Sequence, residues 1–400
     1  MRQGATIVVG GKVIDRWISY SVSHDMTAPA DEFSVEVGPV NRELYRLLRT
    51  DAAIQVYIEG TPVLDGFIDN PTTRFAKDTG STINVIGRCK GGRLVDESMP
   101  LTTFRHKTLA DIASQVAGPW FKEIRFSNAK NRGLIRGRRA RAVKSWADPR
   151  NEAEAIQLRE AQESGARIVL DRSPRAGIFP ASKAPKKVDP GQTRWEVLSE
   201  ILQPARLFAW ATGDGEALVI GVPNTSQAAS YRFFAPSQGS KRAAEGNVES
   251  LEVIDSTADR YSEVIVMGSV RGSSSSYGRS LGRTLASAFD GKGTDGVGRD
   301  FVHRKKLIIS DDDVKNRRDA LDRATREMAV RDVSRQVLEI EVDGHGQDGA
   351  LYAFDTIADV EVEDLGLRQR YSLISVNFTG TQDGPMTRIS LLPEGTTLAL

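Results

Sequence analysis

Leu338-Glu-Ile-Glu-Val342, Ala358-Asp-Val-Glu-Val362 and Ile374-Ser-Val-Asn-Phe378 are the stretches that decide the fold. Each places an apolar side chain at every second position and a polar one between. A β-strand sends successive side chains to opposite faces, so this period predicts strands with one buried face each. Turn residues separate them. Gly344, Gly346 and Gly349 open the first turn, Leu365-Gly366 makes the second, and Asp383-Gly384-Pro385 precedes a last strand with Ile389 and Leu391. Upstream, Asp311-Asp312-Asp313 offers N-caps for a helix over 313–331, with Val314, Leu321, Ala324 and Met328 along its apolar face. The other face carries Asp319/Arg323, Asp322/Arg326 and Glu327/Arg331, each acid four residues ahead of its base. A half-buried antiparallel sheet or barrel flanked by one helix satisfies this pattern.

The first hundred residues repeat the theme. Ile7-Val8-Val9 meets Gly10-Gly11, a favoured two-residue hairpin turn. Ile18, Tyr20 and Val22 alternate with serines, Phe33, Val35 and Val37 with Ser34 and Glu36. A short helical insert runs from Asn41 to Leu48. Ile54, Val56 and Ile58, then Val63 to Ile68, then Ile83 and Val85 supply further strands. Short strands with turns near every ten residues argue for a sandwich or barrel. Between the two ends, 107–118 reads as a helix with Leu109, Ile112, Ala113 and Val116 on one face. Thr193 and Glu196 form a capping box for a second helix carrying Trp195, Leu198, Ile201 and Leu202. Leu207 to Trp210 and Ala217 to Ile220 flank Gly213-Asp214-Gly215 as a hairpin. The expected fold class is therefore α+β, mostly β. Two strand-rich domains, 1–105 and 236–400, each a sandwich or barrel, are expected to flank a small α/β domain at 106–235.

Two segments depart from this order. Residues from about 126 to 190 hold a basic insertion. From Arg125 to Asp189 there are sixteen bases and seven acids, an excess of nine against a net charge of +1 for the whole chain. Residues 271–300 carry Ser273 to Ser276 and six glycines between Gly278 and Gly298, a loop composition with too little apolar surface to offset chain entropy.

Length and composition set outer limits. At 400 residues with 40% apolar content, two to three domains with real cores are expected. A net charge of +1 exerts no global pull toward nucleic acid or membrane. The lone Cys89 excludes an intramolecular disulfide and fits a reducing compartment. No apolar leader and no run of eighteen apolar residues is present, so a soluble protein made in a cytoplasm, without membrane anchor, is expected.

Motifs of chemistry are weak. Gly291-Lys-Gly-Thr-Asp-Gly296 matches a dinucleotide fingerprint but lacks the flanking strand and helix. His24, His106, His303 and His345 show no metal-ligand spacing. His24 shares the parity of Tyr20 and Val22 and reads as hydrogen-bonded and partly buried; His345, in a glycine loop, reads as solvated. The acidic run 359–363 reads as a solvated, electronegative strand face, with a surface repelling DNA in a passage as the sharper alternative. The basic stretch Arg132 to Lys144 reads as a loop or protein contact ahead of a nucleic-acid site. No catalytic, cofactor-binding or metal-binding residue is assigned.

Read in order, the strand and turn patterns resemble a family. Val342-Asp-Gly344, Asp348-Gly-Ala-Leu-Tyr352, Asp359-Val-Glu-Val-Glu-Asp364, Tyr371-Ser-Leu-Ile-Ser-Val-Asn-Phe378 and Asp383-Gly-Pro-Met-Thr-Arg-Ile-Ser-Leu-Leu-Pro393 look like the C-terminal part of the tail-hub protein of contractile-tailed phages, the Mu-type P protein family. Val9-Gly-Gly-Lys12 before Trp17, Phe33-Ser-Val-Glu-Val37, and Gly87-Arg-Cys-Lys90 leading to Leu94-Val-Asp96 resemble its N-terminus; the likeness fails between roughly 125 and 190. The resemblance implies two tail-tube-like barrels and a homotrimeric ring without catalytic activity or cofactor. Such a ring adapts the sixfold tail tube, or a distal tube-like protein, to the threefold central spike. Baseplate wedge proteins and the tape measure protein are its further partners, and DNA passes the channel without specific binding. It would reside in the tail baseplate of a virion, made in the host bacterial cytoplasm. Alternatives are the hub of a non-phage contractile injection system or a tail-associated cell-wall hydrolase.

Overall fold

The computed structural model describes residues 4–77, 80–104, 109–127, 167–170, 186–205, 207–221, 227–255, 261–268, 285–289, 294–295, 299–300, 306–311, 314, 317–333 and 336–394. At the N-terminus, β1 (Ala5–Val9) and β2 (Lys12–Ile14) form the expected hairpin, with Gly10 and Gly11 both at positive φ. β3 (Ser19–Asp25), β4 (Glu32–Val37), α1 (Arg42–Leu47), β5 (Ala53–Ile58), β6 (Thr61–Ala76), β7 (Gly80–Cys89) and α2 (Gly91–Asp96) follow. Asn41 caps α1, its Oδ1 accepting from Leu44 N at 2.8 Å. Strict alternation buries Ile7 and Val9, Tyr20 and Val22, Phe33 and Val35, Ile54 and Val56 in one core.

The middle of the chain supplies β8 (Thr103–Phe104), α3 (Leu109–Ala117), β9 (Glu123–Ser127), β10 (Arg167–Leu170), β11 (Lys186–Lys187), α4 (Arg194–Ala205), β12 (Phe208–Ala211) and β13 (Ala217–Gly221). The four-stranded sheet β10-β9-β13-β12 is mixed: β9 runs parallel to both β10 and β13, and β12 and β13 form the expected hairpin. β12 and β13 are buried at every position, which explains their unbroken apolar sequences. The predicted capping box is present. Glu196 N donates to Thr193 Oγ1 (3.1 Å), and Thr193 N to Glu196 Oε2 (2.6 Å).

The C-terminal part holds β14 (Tyr231–Ala235), β15 (Ser250–Asp255), β16 (Glu263–Gly268), β17 (Leu285–Phe289), the two-residue strands β18 (Thr294–Asp295) and β19 (Arg299–Asp300), β20 (Lys306–Asp311) and α5 (Arg317–Val333). Then come β21 (Gln336–Asp343), β22 (Gly346–Gln347), β23 (Ala350–Leu351), β24 (Ile357–Val362), β25 (Leu367–Gly380) and β26 (Pro385–Pro393). β17, β16 and β20 form a small sheet whose buried Val264, Val266 and Ala286 pack on Val314, Ala320 and Ala324. β17 lies inside the segment read as a glycine- and serine-rich loop, so part of that segment is strand. On α5 the packing positions are Ala320 and Ala324 with Met328, while the expected Leu321 is 45% exposed. An i, i+4 row fits the narrow contact with β16 and β17, and Leu321 lies about 100° round the helix from Ala320.

Two separate barrels are not what the ladder draws. Thirteen strands belong to one sheet, in the order β15-β21-β26-β25-β3-β4-β7-β6-β5-β1-β2, with β24 and β14 branching from β25. β25 is the reason. Its fourteen residues pair with β26 along one side, and on the other with β24 at Leu367–Ser372 and with β3 at Ser375–Gly380. The strand-rich ends of the chain thus join edge to edge, and the path among the described residues is open. Where β25 changes partner its register shifts between Leu373 and Ser375. Leu373, Val376 and Phe378 face the main core, whereas Ile374, expected beside them, packs with Met26, Phe208, Trp210, Val219 and Leu392.

Candidate functional site: the junction strand and its surroundings

The β3–β25 junction is the place to begin. Tyr20, on β3, points inward beneath Trp17, whose ring meets it edge-on at 4.6 Å. Gly380 lies across from it on β25, and a Cβ there would stand 2.2 Å from the Tyr20 ring. Tyr20 Oη and His345 Nε2 are 2.6 Å apart, and His345 Nδ1 lies 2.9 Å from Thr387 Oγ1. Thr387 Oγ1 itself donates to Gly344 O at 2.6 Å. With its one proton so used, the threonine oxygen accepts from His345 Nδ1–H. Nε2 is then the acceptor for the Tyr20 hydroxyl, and the imidazole is neutral. Burial pushes Tyr20 up to about 12, with Glu59 adding to the effect, and pulls His345 down to about 4 against the opposing pull of Asp343. His345 is 1% exposed, the reverse of the solvated loop residue expected. Its sequence neighbours are turn residues, and its partners lie 325 and 42 positions away.

His24 does behave as expected. It is buried, with Nδ1 3.1 Å from Asp31 Oδ2, and it faces Phe378 of β25. Cys89 N donates to Asp31 O at 2.9 Å and Asp31 N to Cys89 Sγ at 3.2 Å, and burial, with the Asp31 charge, pushes the Cys89 thiol up to about 12. Such a thiol is no nucleophile. His106 and His303 lie outside the described residues, as do most of Gly291–Gly296 and all of Arg132–Lys144.

The middle sheet is fastened to the N-terminal part by charge. Lys90 Nζ bonds Asp65 Oδ2 (2.7 Å) and Gly215 O (3.0 Å). The buried Arg194 reaches Glu97 at 2.9 Å and Val116 O at 3.0 Å, while Trp120 Nε1 donates to Glu97 Oε2 at 2.8 Å. Arg88 is bidentate to Asp96 and bonds Asp69, contacts that raise its pKa further.

The acidic strand β24 is not a bare electronegative row. Glu361 accepts from Arg242 at 2.7 Å and Arg232 at 3.5 Å, and Arg370 lies 4.0 Å from Asp359. Arg242 holds the Glu361 carboxyl below its usual range, and the Ser237 amide does so for Glu363. The arginines arrive from positions distant in sequence, so the run looks uncompensated only when read alone. In the groove beside α4, lined by Asp189, Gln192, Trp195, Glu196 and Glu200, Glu196 accepts from Thr193 N and Glu200 from Gln192. No group of three or more metal-ligating side chains converges among the described residues.

Residues 5–89, which run from β1 to β7, match the family model for the N-terminal domain of the Mu phage baseplate assembly protein GpP-like proteins. The GpP-like segment is the part that offers β3 to the junction. Over its whole length the chain shares the fold of the tail protein from Neisseria meningitidis MC58 (TM-score 0.71, 20% identity, covering 100% of this chain and 98% of that one). It is equally similar to the 43 kDa tail protein of prophage MuSo2 from Shewanella oneidensis (TM-score 0.70, 18% identity, 98% and 99% covered). The E. coli c3393 protein, a component of the type VI secretion system, is more distant (TM-score 0.51, 8% identity, 98% and 80% covered). No curated protein sequence matches the chain.

Proposed function

We propose that this chain is the hub of a phage tail baseplate. Three copies form a ring that adapts the sixfold tail tube, or a distal tube-like protein, to the threefold central spike during tail assembly and host-cell penetration. Wedge proteins and the tape measure protein are the further neighbours, and DNA passes the ring without specific binding. The protein works by packing, not catalysis, and resides in the tail of the virion. The division into 1–105, 106–235 and 236–400 belongs to this proposal, the outer two parts serving as the tube-like surfaces. β14, at the second boundary, pairs forward with β24.

The GpP-like domain and the tail-protein fold support this reading. The observation that carries it is the β3–β25 ladder. A subunit that must present two tube-like surfaces in fixed register needs them covalently and non-covalently rigid, and a shared strand ladder with a buried Tyr20–His345–Thr387 network supplies that. Light scattering at tens of micromolar, with and without the spike partner, tests it: a trimer is expected. Release of soluble fragments from peptidoglycan by the purified chain would instead favour the hydrolase alternative. The shared fold with a type VI secretion component favours a second reading, the hub of a non-phage contractile injection system. Neighbouring genes decide between the two: a capsid gene for the first, an effector cassette for the second.

A further inference from the structure

Every open sheet has edges, and an edge strand presents unpaired N–H and C=O groups that recruit another strand unless something blunts them. The large sheet has three ends among the described residues: β2, β14 and β15. Two are blunted. β2 has three residues, and Lys12 on it is tied to Glu43. β14 is sealed by side-chain amides that imitate a neighbouring strand. Asn247 Oδ1 accepts from Phe234 N at 2.8 Å, and Asn247 Nδ2 donates to Arg232 O at 2.8 Å. Gln347 Oε1 takes Arg232 N at 2.9 Å.

Among the described residues β15 has no such device. Its six residues, Ser-Leu-Glu-Val-Ile-Asp, contain no proline and no lysine, and they pair in unbroken register with β21 alone. Val253 and Ile254 are each 39% exposed. Leu251, partly buried against the core, and Val253 stand in the row of the core residues Ile340 and Leu338, so the core face reaches this edge at Val253, while Ile254, across from Val337, lies on the other face. On the opposite face Glu252 stands directly across from Glu339, and Ser250 from Glu341. Arg388 is bonded to Glu341, and its charge also reaches Glu339 and Glu252, so this face sets three carboxylates against one guanidinium and stays acidic in excess.

These features define what fits. A strand laid along β15 would extend the apolar row with its inward side chains and meet Glu252 with its outward ones. Charge complementarity requires those outward residues to be basic. A second copy is a poor occupant: β15 against β15 adds another Glu252 to the acidic row, and the β14 and β2 edges are closed. We propose that the free edge of β15 is a docking site for an extended segment of another protein that alternates apolar and basic side chains, bound as an added strand. This inference does not depend on the hub reading.

The probe is a labelled synthetic peptide, acetyl-Val-Lys-Val-Lys-Val-Lys-Val-amide, titrated into the full chain by fluorescence anisotropy, with amide hydrogen exchange on the complex. Saturable binding is expected, with slowed exchange over Leu251–Ile254. Glu252→Lys should weaken binding by about tenfold or more, as should backbone N-methylation of the peptide, and the Val-Glu counterpart should not bind. Glu252→Gln, which keeps the surface polar, should weaken it by a smaller factor and covers the case in which the lysine variant is unstable. Absence of saturable binding up to about millimolar peptide overturns the proposal. So does binding that ignores both Glu252 variants, or exchange protection confined to another edge. Self-association of the chain alone that Glu252→Lys abolishes would give the edge to a second copy, and the proposal would fall.

Discussion

His345 shows how far single residues can be read. Its flanking glycines suggested a solvated turn, because a sequence shows neighbours along the chain and not across the fold. Burial beside Tyr20 instead fixes it neutral, with a pKa near 4. Unfolded histidine titrates near 6.5, so between the two values the unfolded chain binds a proton that the folded chain does not. Stability present above pH 6.5 is therefore lost as the pH falls through 4. Denaturant unfolding at pH 7 and pH 4.5 should show the parent losing about 2 kcal/mol more than His345→Gln; equal losses would show that His345 is not the buried titrating group. Glycines at close approaches were equally illegible. Gly87 sits mid-strand in β7, and a Cβ there would meet Phe67 O at 2.1 Å and the Phe33 ring at 2.7 Å. Gly87→Ala should cost about 2 kcal/mol or more, read as a lowered midpoint at unchanged slope.

At the scale of elements the alternating period was a sound guide to strands, and the capping box and the Gly10-Gly11 hairpin formed where their residues stood. It did not reveal partners. Nothing in Leu367–Gly380 says that one strand will serve β24, β26 and β3, or that a bulge will turn Ile374 to a different cluster. β9 and β10 went unread because both are short, β9 borders the basic insertion and β10 lies within it. Within β25, Val376 is 1% exposed, so Val376→Asp buries an unpaired charge and should cost several kcal/mol. Ser375 is partly buried, bonds Ser390 at 2.8 Å and stands across from Asp25. Ser375→Asp should therefore cost about 1 kcal/mol through like charges, far less than Val376→Asp. Equal melting temperatures for the two variants would mean that the register is misassigned. At the β14 edge, Asn247→Ala removes both amide bonds and should cost about 1–2 kcal/mol. It should also raise aggregation on heating, measurable by turbidity against the parent.

At the scale of the molecule, composition and order were enough to recognise the family resemblance and the mostly β class. Closure into barrels was not legible, because it depends on which edges meet, a property of long-range pairing. The basic insertion also needs redrawing as a unit. Arg167–Leu170 adds a strand to the middle sheet, Lys186–Lys187 pairs with β8, and Val188 is 1% exposed in the main core. Replacing about residues 131–163 by a Gly-Ser bridge should leave a folded chain by circular dichroism and thermal melting, whereas a replacement that runs on through Val188 should not fold. If both replacements fold alike, the returning strands contribute nothing to the core. The central claim, a hub built on one shared ladder, is tested most directly by an averaged electron-microscopy image of the native tail tip. The account predicts a ring of three copies between tube and spike, with β3 and β25 of each copy in one continuous sheet. A tip in which this chain occurs as single copies outside the tube axis, or with its two strand-rich ends separated, would contradict it.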